Sequence, residues 1–210
     1  MTKLVIFDFW GTLAEQGVRS HLQMVKNILR LEMDFSEFVL RFEKVFMTQE
    51  FPDLKSAFQA VIEEFELNPP EFVVEKLIGM WNKNTLLAEL YPDTIECLED
   101  LKKDYKIALI ANTDGFSIPA ILEKFKLEKY FDFVYLSYKE GALKTDPKSF
   151  KKILTELDLT KKDALMLGDS IESDMGGAQK AGIRSILIDR RNRREYPDKI
   201  EKLSQLREKI

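Results

Sequence analysis

Short, continuously apolar runs alternate along most of this chain with stretches whose apolar residues recur every third or fourth position. Lys3–Phe9 is the first run, rich in β-formers, with Asp8 at its end and the turn Gly11-Thr12-Leu13 after it. Ile107–Ala111, Phe133–Leu136, Ala164–Leu167 and Ser185–Ile188 repeat the pattern. Runs this short and uniformly apolar suit strands buried on both faces. Between them, Thr94–Lys103, Ile118–Lys126, Pro147–Leu157 and Asp174–Ala181 carry helical spacing. From Tyr91 onward the alternation predicts a parallel sheet covered by helices on both faces, a Rossmann-like, doubly wound α/β core.

The stretch between the first run and residue 90 breaks that rhythm. Val18–Met33, Phe35–Gln49, Leu54–Phe65 and Glu71–Leu90 all show helical spacing, and none reads as a strand. Asp34 and Asp53 stand where N-caps belong, and Pro69-Pro70 opens the last helix. Four short helices joined by tight links predict a packed all-helical insert. With Gly17 and Tyr91-Pro92-Asp93 as its borders, the expected division is a core of residues 1–16 and 91–210 and an insert of residues 17–90.

Charge narrows the partners. The 32 Lys+Arg stand against 36 Asp+Glu, a formal net charge of -4, so no basic surplus is left to cover nucleic-acid phosphates. The basic run Arg190–Arg194 reads as a solvated loop. No apolar run approaches the roughly 20 residues needed to cross a bilayer, and the N-terminus does not read as a signal peptide. The expectation is a cytoplasmic protein, monomeric or a small homo-oligomer, with a small molecule as its partner. One Cys and one His exclude a Cys/His zinc site. Cys97 falls in the stripe Ile95, Leu98, Leu101 and reads as core, while His21, beside Ser20 and Gln23, reads as a surface residue.

The chemistry gathers at strand ends, where parallel sheets bind their ligands. Asp8 ends the first strand, Asn112 and Thr113 follow the second, Asp169 follows the fourth, and Asp174 lies one turn further on. Lys144 sits between the third strand and a helix opened by Asp146-Pro147. Three carboxylates, a lysine and amide donors on one rim suit a hard cation and an oxyanion. Mg2+ takes such oxygen ligands. Taken singly, each Asp is also an ordinary turn or N-cap former.

Leu4-Val5-Ile6-Phe7-Asp8-Phe9-Trp10-Gly11-Thr12-Leu13 resembles the first motif of the haloacid dehalogenase superfamily. Lys144-Thr145-Asp146-Pro147 resembles its third, and Gly168-Asp169-Ser170-Ile171-Glu172-Ser173-Asp174 its fourth. The insert lies where that family's cap domain lies. The resemblance implies a phosphatase in which Asp8 attacks phosphorus to give an aspartyl-phosphate. It implies Mg2+ held by Asp8, Asp169, Asp174 and the backbone carbonyl of Trp10, with Lys144 and the donors Asn112 and Thr113 on a small phosphorylated substrate.

Two positions depart from the pattern. Trp10 stands where most such phosphatases carry an acid–base Asp, and tryptophan cannot transfer a proton. Members lacking that Asp use leaving groups that need little protonation, or displace halide. Two rival readings follow: a 2-haloacid dehalogenase, whose halide-gripping arginine shortly after the first motif is missing here unless Arg19 or Arg41 serves from the cap, and a non-catalytic binding protein on the same fold. Asp169 favours the metal-dependent reading over the first, since dehalogenases of this type replace it with a neutral residue. In the second motif Ala111 occupies the place of the usual Ser or Thr, with Thr113 as the substitute donor.

Overall fold

A computed structural model describes residues 2–210. Six strands form one parallel sheet: β1 (Leu4–Phe7), β4 (Lys106–Ala111), β5 (Phe133–Leu136), β6 (Ala164–Gly168), β7 (Arg184–Ile188) and β8 (Lys199–Ile200). Their order is β5-β4-β1-β6-β7-β8. β1 lies at the centre, with Phe7 opposite Leu109 of β4 on one side and Leu167 of β6 on the other. The connections run outward from β1 in opposite directions, so the strand order reverses at its C-terminal end, where Asp8 follows.

The continuous apolar runs have a plain cause: both faces are covered. Val5 and Phe7 pack with α5 (Thr94–Leu101) and α6 (Ser117–Lys124), while Leu4 and Ile6 pack with α8 (Pro147–Glu156) and α9 (Gly176–Ala181). Cys97 is buried in the first of these layers. A single helical turn, α7 (Ser137–Glu140), follows β5.

The insert forms α1 (His21–Ile28), α2 (Phe35–Phe46), α3 (Leu54–Glu64) and α4 (Glu71–Leu86) around its own apolar cluster. Phe42, Phe46, Phe58 and Trp81 cluster at its centre, with Phe46 edge-on to Trp81 at 4.8 Å between ring centroids. Asp34 accepts from the backbone N–H groups of Ser36 and Glu37, and Asp53 accepts from that of Ser56, as N-caps do. Phe46 is wholly buried and Phe51 packs against the same cluster.

Helix ends differ from the periodic expectation. α1 is short, bounded by left-handed Ser20 and Arg30. α4 stops at Leu86, although Leu86 and Leu87 extend its apolar period, and both side chains are exposed. The chain then enters β3 (Glu89–Leu90), which pairs antiparallel with β2 (Ala14–Glu15). The two connections between insert and core are therefore hydrogen-bonded to each other. Among the described residues no helix is long and apolar enough to cross a membrane.

Candidate active site

Asp8 is fixed first by its backbone. Its N–H donates to the Leu167 carbonyl at 2.9 Å, extending the β1–β6 pairing by one residue. The chain then turns back, with the N–H groups of Leu13 and Ala14 both donating to the Phe9 carbonyl. Gly11 takes φ +75° in that turn, and a side chain there would overlap the Asp169 carboxylate. Asp8 is 3% exposed. One carboxylate oxygen accepts from Thr12 Oγ1 at 3.1 Å and the other from Lys144 Nζ at 2.5 Å.

Lys144 arrives on the loop between α7 and α8, where its backbone N–H donates to Asn112 Oδ1 at 2.8 Å. Its ammonium also lies 2.6 Å from Asp174 Oδ1. Asp174 stands inside a wide π-helical turn, Ile171–Met175, rather than at the start of α9 as the sequence suggests. That turn swings the carboxylate back over Gly168, where any side chain would collide with it. Asp174 is fully buried, and its Oδ2 accepts from the Ser170 N–H at 2.9 Å. Its Oδ1 meets the ammonium as an ion pair but makes no aligned hydrogen bond.

Asp8, Asp169 and Asp174 can each place one oxygen so that all three lie within 4.8 Å of one another. Three anions this close oppose each other's ionisation. Burial, and then Asp174, push Asp8 up to about 8, against the pull of Lys144. Burial and Asp174 likewise push Asp169 up to about 6, opposed by Lys144 and Arg194. Burial works to lower the Lys144 pKa, but Asp174 and Asp8 outweigh it and hold it above the ordinary range, so the side chain is a fixed cation. A divalent cation fits this donor set: hard oxygens, and three carboxylates around one lysine, an excess of negative charge.

Asp8, Lys144 and Asp169 line a cavity of about 200 Å³ between sheet and insert, with Asp174 buried behind them. The profile of a family described as haloacid dehalogenase-like hydrolase matches residues 5–188. The chain belongs to that family. It is 26% identical over 191 residues to a glyceraldehyde 3-phosphate phosphatase of Pyrococcus furiosus, covering 88% of this chain and 79% of that protein. A solved structure of a phosphatase of this superfamily from Thermococcus onnurineus superposes with TM-score 0.64 at 26% identity, covering 99% of this chain and 97% of that one. A 2-haloacid dehalogenase from Pseudomonas syringae superposes with TM-score 0.68 at 20% identity over the same shares, a likeness of fold alone.

The hydrolase's cavity holds residues that sequence reasoning missed. Glu43 of α2 reaches down to accept from Asn112 Nδ2 at 2.9 Å. Burial raises its pKa, against the pull of Lys144. Asp114 accepts from the Phe116 and Ser117 N–H groups and from Trp81 Nε1 at 3.1 Å, tying α4 to the start of α6. His21 is not a surface residue: it is 7% exposed, 5.1 Å from the Trp81 ring, with Nδ1 2.9 Å from Gln16 Oε1. Burial lowers its pKa to about 4, so it is neutral.

Asn112 and Thr113 both line the cavity, while Ala111 ends β4 and is buried in the core. Thr113 donates its hydroxyl hydrogen to the Asp114 carbonyl at 3.0 Å. Trp10 is half-buried, edge-on to Phe9, and lines both this cavity and a second cleft beyond it. That cleft, about 860 Å³, is walled by Arg19 and by the Arg190–Arg194 loop. The loop is not simply solvated: Arg190 lies 3.6 Å over the Tyr91 ring, and Arg194 donates to the Asp169 carbonyl. Arg41 lies outside the site, paired with Glu64 at 2.9 Å.

Proposed function

We propose that this hydrolase is a Mg2+-dependent phosphatase acting on a small phosphorylated metabolite through an aspartyl-phosphate on Asp8. The observation that carries the reading is the placement of the Asp8 carboxylate. It lies against a fixed ammonium, at the edge of a buried cluster in which three carboxylates share that single positive charge. Mg2+ held by Asp8, Asp169, Asp174 and the Trp10 carbonyl would neutralise charge on the phosphoryl oxygens. Lys144 keeps Asp8 in reach and supplies a second positive charge to the phosphoryl group. Asn112 and Thr113 offer donors from the end of β4, Thr113 by giving up its bond to the Asp114 carbonyl. Attack by Asp8 splits the displacement into two steps, phosphoryl transfer to the carboxylate and hydrolysis by water.

Residues 17–90 act as the cap. Leu22, Glu43, Met47 and Trp81 roof a cavity of about 200 Å³, room for a phosphoryl group and a few more heavy atoms. Names among the relatives, a triose-phosphate phosphatase foremost, agree with a compact substrate. We further read the protein as cytoplasmic.

The test is turnover of acetyl phosphate and p-nitrophenyl phosphate with Mg2+ and with chelator. We expect activity that needs the metal and disappears in Asp8→Asn. Chloride release from 2-chloropropionate, indifferent to chelator, would select the dehalogenase reading that Trp10 raises. Tight ligand binding without turnover would select a binding protein.

A further inference from the structure

The cleft beyond Trp10 is basic in a chain whose net charge is -4. Five arginines line it against the carboxylates Glu15, Asp169 and Asp189. Two of the five are committed to the protein. Arg190 donates to Asp93 Oδ1 at 3.1 Å and to the Thr12 carbonyl at 2.5 Å. Arg194 donates to the carbonyls of Asp169 and Ile188. Both brace the loops that carry the acidic cluster. Arg191 meets Glu15 at 3.4 Å in a pair whose members are both more than half exposed, and such pairs hold weakly.

Arg19 and Arg193 remain. Their guanidinium groups have no hydrogen-bond or ion-pair partner among the described residues, and both side chains are exposed. The nearby carboxylates are turned elsewhere. Asp189 accepts from the backbone N–H groups of Arg193 and Arg194, which help hold its pKa below the ordinary range, and Asp169 belongs to the acidic cluster. Unspent guanidinium forks on a concave wall match phosphate, which they can grip through two oxygens.

The cleft continues the cavity over Asp8: Trp10, Gln16 and Asp169 line both. Apart from the Tyr91 phenol and the acidic cluster itself, a leaving group that departs on this side finds no proton donor but the arginines. Trp10 has no transferable proton, Asp189 is ionised, and Glu15 faces Arg191. Departure as a stable anion suits this side, and the unspent arginines await one.

We propose that this cleft binds a second phosphate, and that the preferred substrate is a phosphoanhydride, an organic diphosphate or pyrophosphate, cleaved at its terminal phosphorus. The proposal rests on Asp8 being the nucleophile. In the first step an Asp8 carboxylate oxygen bonds to the terminal phosphorus. The bond from that phosphorus to the bridging oxygen breaks, and its electron pair stays on the oxygen. The organic phosphate leaves as a dianion without taking a proton. In the second step water bonds to the same phosphorus, the bond to Asp8 breaks, and the carboxylate is restored. One proton of the water stays on inorganic phosphate and the other passes to the phosphate dianion. The sum is diphosphate plus water giving two phosphates. Negative charge grows on the departing phosphate as the bond breaks, so arginines placed there favour the transition state over the bound substrate.

Kinetics with Mg2+ on methyl diphosphate, methyl phosphate and p-nitrophenyl phosphate test this. Methyl phosphate needs a proton on its leaving group, so its kcat/KM should fall below that of methyl diphosphate by about 100-fold or more. Arg19→Gln with Arg193→Gln should lower kcat/KM for methyl diphosphate about tenfold more than for p-nitrophenyl phosphate. The same pair in Asp8→Asn protein should weaken binding of methylenediphosphonate, titrated calorimetrically without metal, by a similar factor. Equal turnover of methyl diphosphate and methyl phosphate overturns the proposal. So does a double variant that slows all substrates alike, or methyl phosphate turnover abolished by Glu43→Gln, which would make Glu43 the proton donor. Any of these alongside Asp8-dependent hydrolysis of p-nitrophenyl phosphate leaves the nucleophile standing; no turnover of any phosphate removes both.

Discussion

Replacing Lys144 by Met keeps the aliphatic stem and deletes the charge between Asp8 and Asp174. The ammonium meets them at 2.5 and 2.6 Å, and neither carboxylate is more than 3% exposed. One close pair at an effective dielectric near 20 is worth about 4 kcal/mol of Coulomb attraction. Two such pairs give roughly 8 gross, most of it cancelled by burying three ions, and removing one partner of a buried cluster typically costs ~3–5 kcal/mol. We expect the low end, about 3 kcal/mol, because Asp8 can escape by keeping a proton. For a domain of this size that is a loss of ~6–12 °C in Tm. Asp8 is already raised to about 8 with the lysine present, and loses its main lowering influence without it. Its neutral form is the one the fold tolerates, so the variant's deficit is largest above about pH 8 and closes as pH falls and the acids take up protons. In the wild type the same fall in pH strands the buried ammonium, narrowing the gap further. Thermal melts of both proteins in chelator from pH 5.5 to 8.5 measure this. A deficit independent of pH, or a variant as stable as wild type at pH 8.5, would refute the reasoning.

Other substitutions probe the rest of the site. Asp8→Asn should lower turnover of p-nitrophenyl phosphate by at least ~1000-fold while leaving Tm in chelator within a few degrees or higher, since it removes one of three crowded carboxylates; activity assays and melts separate the two effects. Mg2+ should raise Tm more at pH 8.5 than at pH 5.5, because it must displace protons from Asp169, raised to about 6, and Asp8, raised to about 8; calorimetry in buffers of different ionisation enthalpy should show proton release. Gly168→Ala drives a Cβ into the Asp174 carboxylate, so Mg2+ affinity should drop about tenfold or more, read by the same calorimetry. Trp81→Phe removes the donor to Asp114 Oδ2 and Ser117 Oγ and should cost ~1–3 kcal/mol, visible in denaturant unfolding.

The sheet was legible because five of its strands are buried on both faces, leaving unbroken apolar runs that end in the acidic residues. β2, β3 and β8 are two residues each and form only where tertiary packing presents a partner, so no local pattern announces them. Leu86 and Leu87 prolonged the α4 period by coincidence, since both face solvent. The acidic cluster and its lysine stood out through spacing in the motifs. Glu43 did not: it adjoins the buried Phe42 on α2, and a charge beside an apolar stripe ordinarily faces water. Its direction depends on where the insert docks, which one helix cannot encode. His21 misled for the converse reason, its polar neighbours suggesting solvent while its ring packs on Trp81 from another helix. Asp114 was readable in principle as an Asx turn opening α6, because its Oδ1 accepts from the two N–H groups that begin that helix.

The antiparallel ladder of Ala14 with Leu90 and Glu15 with Glu89 has a consequence for how this protein can be altered. Seen from the sheet, everything between those strands is the tip of a hairpin whose stem is already closed. The roof is thus a graftable module. Exchanging it for a tight two-residue turn should leave the sheet and its acidic cluster in place, with Asp8 open to bulkier molecules and to water alike.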